Sequence, residues 1–206
     1  MKTLPLGILA MAAIVVASNI LVQFPIGQWL TWGAFTYPFA FLVNDLTNRF
    51  HGPAAARRVV YAGFAVGIAC SLIGTQIVGE FGPLVTLRIA IGSGLAFLTG
   101  QLLDVAIFDR LRQRAWWRAP FLGSLIGSAA DTALFFTIAF SAMLVVLESG
   151  NDVSWAAESV PLLGFGPAVP LWVSLGLADF LVKLAVDLLA LLPFRLAVAR
   201  YAARVA

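Results

Sequence analysis

Six apolar runs take up most of this sequence, and no other feature restricts its fold as strongly. They cover roughly residues 4–24, 33–50, 59–79, 84–108, 119–147 and 168–193. A helix that crosses a bilayer needs about 20 mostly apolar residues, because it must span about 30 Å of hydrocarbon at about 1.5 Å per residue. With 61% hydrophobic and 11% charged residues, the chain has more apolar surface than one soluble core can hide. A bundle in lipid can turn that surface outward without cost. Pro25, Gly52-Pro53, Gly82-Pro83, Pro120 and Gly166-Pro167 fall between the runs or at their edges, as helix breakers should. Pro38 lies inside the second run. It removes one backbone donor and crowds the preceding turn, which predicts a kink or a late helix start near Phe35 to Pro38. The first run is longer than the apolar region of a secretory signal, about 7 to 15 residues, and no A-x-A site closes it, so a retained first helix is expected.

The connections set the expected orientation. Lys2, Arg49, Arg57, Arg58, Arg110, Arg112, Arg114, Arg118, Arg195, Arg200 and Arg204, 11 of the 13 basic residues, fall on one set of sides. The opposite set carries Glu80, Glu148, Asp152 and Glu158 and no basic residue. Basic loops stay in the cytoplasm, so the pattern predicts six transmembrane helices with both termini cytoplasmic. No repeat, low-complexity region or soluble domain interrupts this, and residues 1–206 read as a single six-helix domain. The longest connection, 148–166, is acidic and external, and its Trp155 and Leu162 could form a short interfacial helix.

Seven ionisable residues remain inside the runs: Asp45, Asp104, Asp131, Asp179 and Asp187, with Arg88 and Lys183. Each would cost at least about 2.5 to 3.5 kcal/mol at a lipid-facing helix centre, so they are expected to face the interior and find partners. Five acids against two bases leave a charge surplus that protons or a cation must compensate. Helical spacing puts Asn44, Asp45 and Asn48 on one face of the second run and Gln101 with Asp104 on one face of the fourth. On the fifth, Gly123, Gly127 and Asp131 form one row and Ser124, Ser128 and Thr132 the next, a small-residue face that admits a close neighbour or serves a homodimer. Asp179, Lys183 and Asp187 form a ladder on the sixth. Acids from separate helices imply one shared cavity. Plainer readings stand beside this one: Lys183 could pair within its own helix, Arg88 could snorkel to the outer interface, Asn19 and Gln23 could be interhelical glue, and Asp187 could meet the inner interface.

Other chemistries find little support. Cys70 is the only cysteine and sits in an apolar stretch, which suits packing and forms neither an internal disulfide nor a metal cluster. His51 is the only histidine, so a Ser-His protease or a histidine-ligated metal has no means of assembly. No phosphate-cradling G-x-x-x-x-G-K-[ST] loop is present. The basic residues are scattered, and neither nucleic-acid binding nor a cofactor or metal is expected. An intramembrane enzyme using aspartates would want a D-x-x-x-D array, but the residue four positions after Asp179 is Lys183.

The blocks "SNILVQFP" (18–25), "TWGAFTYPFAFLVNDLTNRFHGPAAARR" (31–58), "RIAIGSGLAFLTGQLLDVAIFDRLR" (88–112), "WWRAPFLGSLIGSAADTALFFTIAF" (116–140) and "ADFLVKLAVDLLALLP" (178–193) resemble the queuosine precursor transporters of the vitamin uptake transporter family. The likeness runs over nearly the whole chain. It implies an all-α, multi-pass protein of a bacterial inner membrane, similar in design to the substrate-binding components of energy-coupling-factor transporters, and not an enzyme. It also implies import of the 7-deazaguanine bases preQ0 or preQ1. The family pattern marks Asn19, Gln23, Asp45, Arg49, Arg88, Gln101, Asp104, Asp131, Thr132, Asp179 and Lys183. The connection 25–32 is shorter than the pattern, and Asp187 is an additional acid.

Such a base is flat, with an amidine-like donor edge and a carbonyl acceptor. A carboxylate can accept two of its donors while an amide reads a mixed edge. The expected substrate site is therefore Asn44, Asp45, Gln101, Asp104, Asp131 and Thr132, with Arg88, Asp179 and Lys183 as ion-pair partners or gates. Phe35, Tyr37, Phe39 or Phe135 would stack on the ring, and Asn19, Gln23 and Asn48 are secondary candidates. The rival expectations are a binding subunit that needs a separate ATPase module, and the intramembrane enzyme already set aside.

Overall fold

The computed structural model describes residues 4–80 and 82–205; Lys2, counted above with the cytoplasmic cations, lies outside them. Seven α-helices account for most of the described residues: α1 (Leu4–Leu21), α2 (Gly33–Thr36), α3 (Phe39–His51), α4 (Pro53–Gln76), α5 (Leu87–Leu111), α6 (Arg118–Phe140) and α7 (Leu171–Val205). Four of them, α1, α4, α5 and α6, are long and apolar enough to cross a membrane. The second expected span is divided. Its helix stops at Thr36 and restarts after Pro38, where the missing donor and the proline ring forbid a continuous ladder.

Two expected boundaries are corrected. The run 119–147 leaves the α-helix at Phe140, and residues Ala142–Leu147 form 3₁₀ turns. The run 168–193 begins as a strand, enters helix only at Leu171 and continues through Pro193 to Val205. Hydropathy does not distinguish an apolar strand or 3₁₀ turn from an apolar helix end. The connection 148–166 also differs from a single interfacial helix. Trp155 sits in the 3₁₀ turn Ser154–Ala157 and Leu162 in another, Leu162–Gly164.

Three short antiparallel hairpins lead from α1, α4 and α6 toward the helices that follow: residues 25–31, 78–83 and 159–170. The connection from α3 to α4 is a single glycine. Gly52 has φ 84° and its N–H closes on the Asn48 carbonyl at 2.9 Å, while Pro53 occupies the first position of α4. A left-handed glycine followed by a proline ends one helix and starts the next within one residue.

Burial is inverted relative to a soluble protein. Leu189 is 74% exposed and Leu6 67%, whereas Arg88, Gln101 and Asp104 are fully buried. An apolar core does exist, with Met11, Val15, Ala40, Val59, Val60 and Phe97 packed between α1, α3, α4 and α5. The polar residues occupy the other side of α3 and α5, toward α6 and α7.

The α5–α6 pair is the most extensive contact in the molecule, and its sequence explains why. A Cβ at Gly100 would lie 2.8 Å from the Gly127 carbonyl oxygen, and one at Gly127 would lie 2.7 Å from the Gly100 oxygen. The two backbones therefore cross in contact, as small residues permit. The small-residue face of α6 is occupied by α5 within the chain.

Candidate functional site

The buried polar residues form two layers about one helical turn apart. The first is centred on Lys183. Its ammonium lies 2.6 Å from Asp131 on α6 and 2.6 Å from Asp179 on its own helix, and it donates to the Thr132 hydroxyl at 3.1 Å. Thr132 in turn donates to Asp179 at 2.9 Å, and the Tyr37 hydroxyl donates to the other Asp131 oxygen at 2.8 Å. The Lys183 nitrogen also sits 4.9 Å from the centre of the Tyr37 ring, within cation–π range. The i, i+4 ladder thus pairs within α7 and bridges to α6 at once. Both carboxylates share one cation, so this layer is well satisfied internally.

The second layer is rich in acceptors. Asn44 on α3 donates to Asp104 on α5 at 2.8 Å and to the Gln101 carbonyl at 3.2 Å. Asp45 faces Asp104, Asp187 and Ser124, and Ser128 donates to Asp187 at 3.1 Å. Among the described residues, no cation forms an ion pair with Asp45, Asp104 or Asp187. Several buried atoms here have no hydrogen-bond partner: one oxygen each of Asp45 and Asp104, the Asn44 carbonyl oxygen and both amide atoms of Gln101. Such atoms are costly unless something else satisfies them.

A small cavity between α3, α6 and α7 touches this layer and is lined by Asp45, Ser124 and Asp187 with Pro120, Leu191 and Phe194. The centre of a water molecule can move within about 10 Å³ of it, enough for about one water. Asp187, which could have been a residue of the inner interface, is 4% exposed and belongs to this group.

Arg88 takes a different place from the expected ion-pair partner or snorkelling residue. It is fully buried, and its guanidinium donates to the carbonyls of Ile138 at 3.1 Å and Ser141 at 2.6 Å. These are the orphan acceptors at the C-terminal end of α6, where a cation is favoured. The Glu148 carboxylate complements it by accepting from the backbone N–H groups of Leu87 and Arg88 at 3.2 and 3.0 Å, at the start of α5. No spacing rule predicts this clamp, whose halves are 60 residues apart. At the other end α3 and α5 cap each other: Arg49 donates to the Arg112 carbonyl at 3.1 Å, and Arg112 donates to the backbone and side-chain oxygens of Asn48.

Other candidates lie apart from the two layers. Phe35 and Phe39 are 37% and 44% exposed on the outer face, one helical turn from each other, while Tyr37 between them points inward. Phe135 packs edge-on against Phe136 and Phe140. Asn19 bonds the Val15 carbonyl of its own helix, and Gln23 is exposed beyond the end of α1. Asn48 contacts the Val105 carbonyl and Arg112.

A family model described as "Putative vitamin uptake transporter" matches residues 31–198. The chain is 42% identical over 141 residues to the Escherichia coli protein named "Queuosine precursor transporter", covering 62% of this chain and 64% of that protein. A Haemophilus influenzae protein named "Probable queuosine precursor transporter" is 33% identical, over 87% of this chain and 79% of its own length. A Bacillus subtilis protein of the same name is 30% identical, over 80% and 70%. No solved structure matches significantly.

Proposed function

The chain belongs to the vitamin uptake transporter family, whose members are membrane transporters and not enzymes, and on that footing we propose that it imports 7-deazaguanine queuosine precursors, preQ0 or preQ1, across a bacterial inner membrane. In this reading α3 and α7 cross the bilayer with α1, α4, α5 and α6. The α2–α3 pair supplies the length that α3 lacks alone, and Asp179, Lys183 and Asp187 of α7 face inward, where lipid does not meet them.

The observation that carries the proposal is the band of buried acceptors along the α5–α6 seam. Gln101, Asp104 and Asn44 present unpartnered oxygen or nitrogen atoms, and Asp131 with Thr132 lies one turn away. A base with an amidine-like donor edge supplies what Asp104 and Asp131 would accept, and the Gln101 amide can read its carbonyl side. Tyr37 would cover the ring, a reading supported by its contacts with Asp131 and Lys183.

In this conformation side chains fill the seam. Binding then requires α3 and α7 to move off the α5–α6 pair, which the glycine crossing holds as a unit. The names borne by relatives from three bacteria support the choice of substrate class. Asp104→Asn and Asp131→Asn should each abolish preQ1 rescue of queuosine-modified tRNA in cells unable to make the precursor. Full rescue by both variants at normal expression would reject these assignments.

A further inference from the structure

The second polar layer asks for a ligand smaller than a base. Its acceptors outnumber its donors: Asp45, Asp104 and Asp187 converge from α3, α5 and α7, and the Asn44 carbonyl oxygen beside Asp104 is fully buried and unpartnered. The groups facing the three acids are Asn44, Gln101, Ser124, Ser128 and Lys183, of which only Lys183 is charged. Lys183 lies one turn along α7 from Asp187, but its ammonium is held between Asp131 and Asp179.

Three occupants could satisfy such a cluster. In this closed conformation a base does not fit, because the adjoining cavity admits about one water, and the seam opens to a base only when α3 and α7 move away. Among the described residues no three acidic, histidine or cysteine side chains are arranged to hold a metal ion. Protons remain. The cavity joins Asp45 and Asp187 through Ser124, and its walls, Pro120 and Phe194, lie toward the end of the molecule where α6 begins.

We propose that Asp45, Asp104 and Asp187 form a proton-binding site that couples substrate movement to proton flow, exchanging its proton through the Ser124 cavity. The proposal rests on the transport reading above. In the exchange step, an O–H bond of a carboxylic acid breaks, the electron pair stays on the carboxylate, and the proton passes to a water in the cavity. Asp104 links the two functions, because it borders both this site and the seam where the base would bind. Filling Asp104 with a substrate donor and filling it with a proton are alternatives, and that competition is what couples the two.

Two measurements on the purified full-length chain test this. Infrared spectra in lipid should show a protonated-carboxyl band at neutral pH that weakens in Asp45→Asn and in Asp187→Asn; an unchanged band in both correctly folded variants, or no band in the wild type, overturns the proposal whatever the substrate is. In liposomes, preQ1 should drive proton flux and accumulate at least about tenfold under an inwardly directed proton gradient. Asp187→Asn should still exchange labelled for unlabelled preQ1 while losing both effects. Accumulation without proton flux overturns the coupling. Absence of preQ1 binding and exchange in the wild type would instead defeat the substrate reading, leaving the infrared result to decide the proton site.

Discussion

Lys183 shows how one residue can decide the fate of a buried site. Its ammonium neutralises Asp131 and Asp179 together and orders Thr132 beside them. Removing a buried charge strands its partners, at a typical cost of about 3 to 5 kcal/mol. Lys183→Met should therefore lower the melting temperature in detergent sharply and reduce membrane yield. The triple variant that adds Asp131→Asn and Asp179→Asn should recover most of the lost stability but none of the uptake, because it removes the stranded charge along with the acceptors. A Lys183→Met protein as stable as the wild type would show that the bridge carries no net weight. Much of this site was legible from bilayer cost alone, since every acid the sequence placed inside a span is at least largely buried in the structure. Its division into two layers was not legible. Whether Lys183 meets Asp179, Asp187 or a neighbouring helix depends on side-chain reach across a contact that spacing within α7 does not encode. Phe35 and Phe39, four residues apart, share one face that is turned outward, while Tyr37 between them points inward; which of the two faces meets the polar layers is again not encoded in their spacing.

At the scale of elements, the α5–α6 seam is set by glycines and not by polar bonds. The added Cβ of Gly127→Ala would meet the Gly100 oxygen and a ring carbon of Phe41, each at 2.7 Å, so the helices must separate. Overpacking of this kind typically costs about 1 to 3 kcal/mol. Gly67→Ala is the matched control: its Cβ meets only Val15, at 3.6 Å, and replacing a mid-helix glycine should leave stability unchanged or raise it by up to about 1 kcal/mol. Thermal unfolding of the two variants in the same detergent checks the contrast, and equal melting temperatures would contradict it. The small-residue row was visible in the sequence, but its partner was not; a row of glycines and serines fits a second copy as well as a helix of the same chain. Helix ends were the least legible feature. Runs 119–147 and 168–193 were bounded by hydropathy, while the actual ends follow the Arg88 guanidinium on the α6 carbonyls and the hairpin that precedes Leu171.

For the whole molecule, charge and connectivity make one demand. Arg49 and Arg112 tie the C-terminal ends of α3 and α5 together, and the basic connections cluster in sequence around those same ends. Glu80, Glu148, Asp152 and Glu158 sit in the three-hairpin set of connections. If basic loops are retained in the cytoplasm, the proposed crossing of α3 and α7 follows from charge: without α3, Lys2 would be parted from the other basic connections, and without α7, Arg195, Arg200 and Arg204 would share a side with Glu148, Asp152 and Glu158. Single cysteines in a Cys70→Ala background can read this directly at exposed positions. Glu80→Cys and Asp152→Cys should react with a membrane-impermeant maleimide in intact cells after the outer membrane is made leaky. Arg58→Cys and Arg114→Cys should react only once the inner membrane is opened. Labelling of Arg58→Cys from outside would mean that the α2–α3 segment does not span, and a polar site built from Asn44, Asp45 and Asp104 would then lie at a surface instead of inside a transport path.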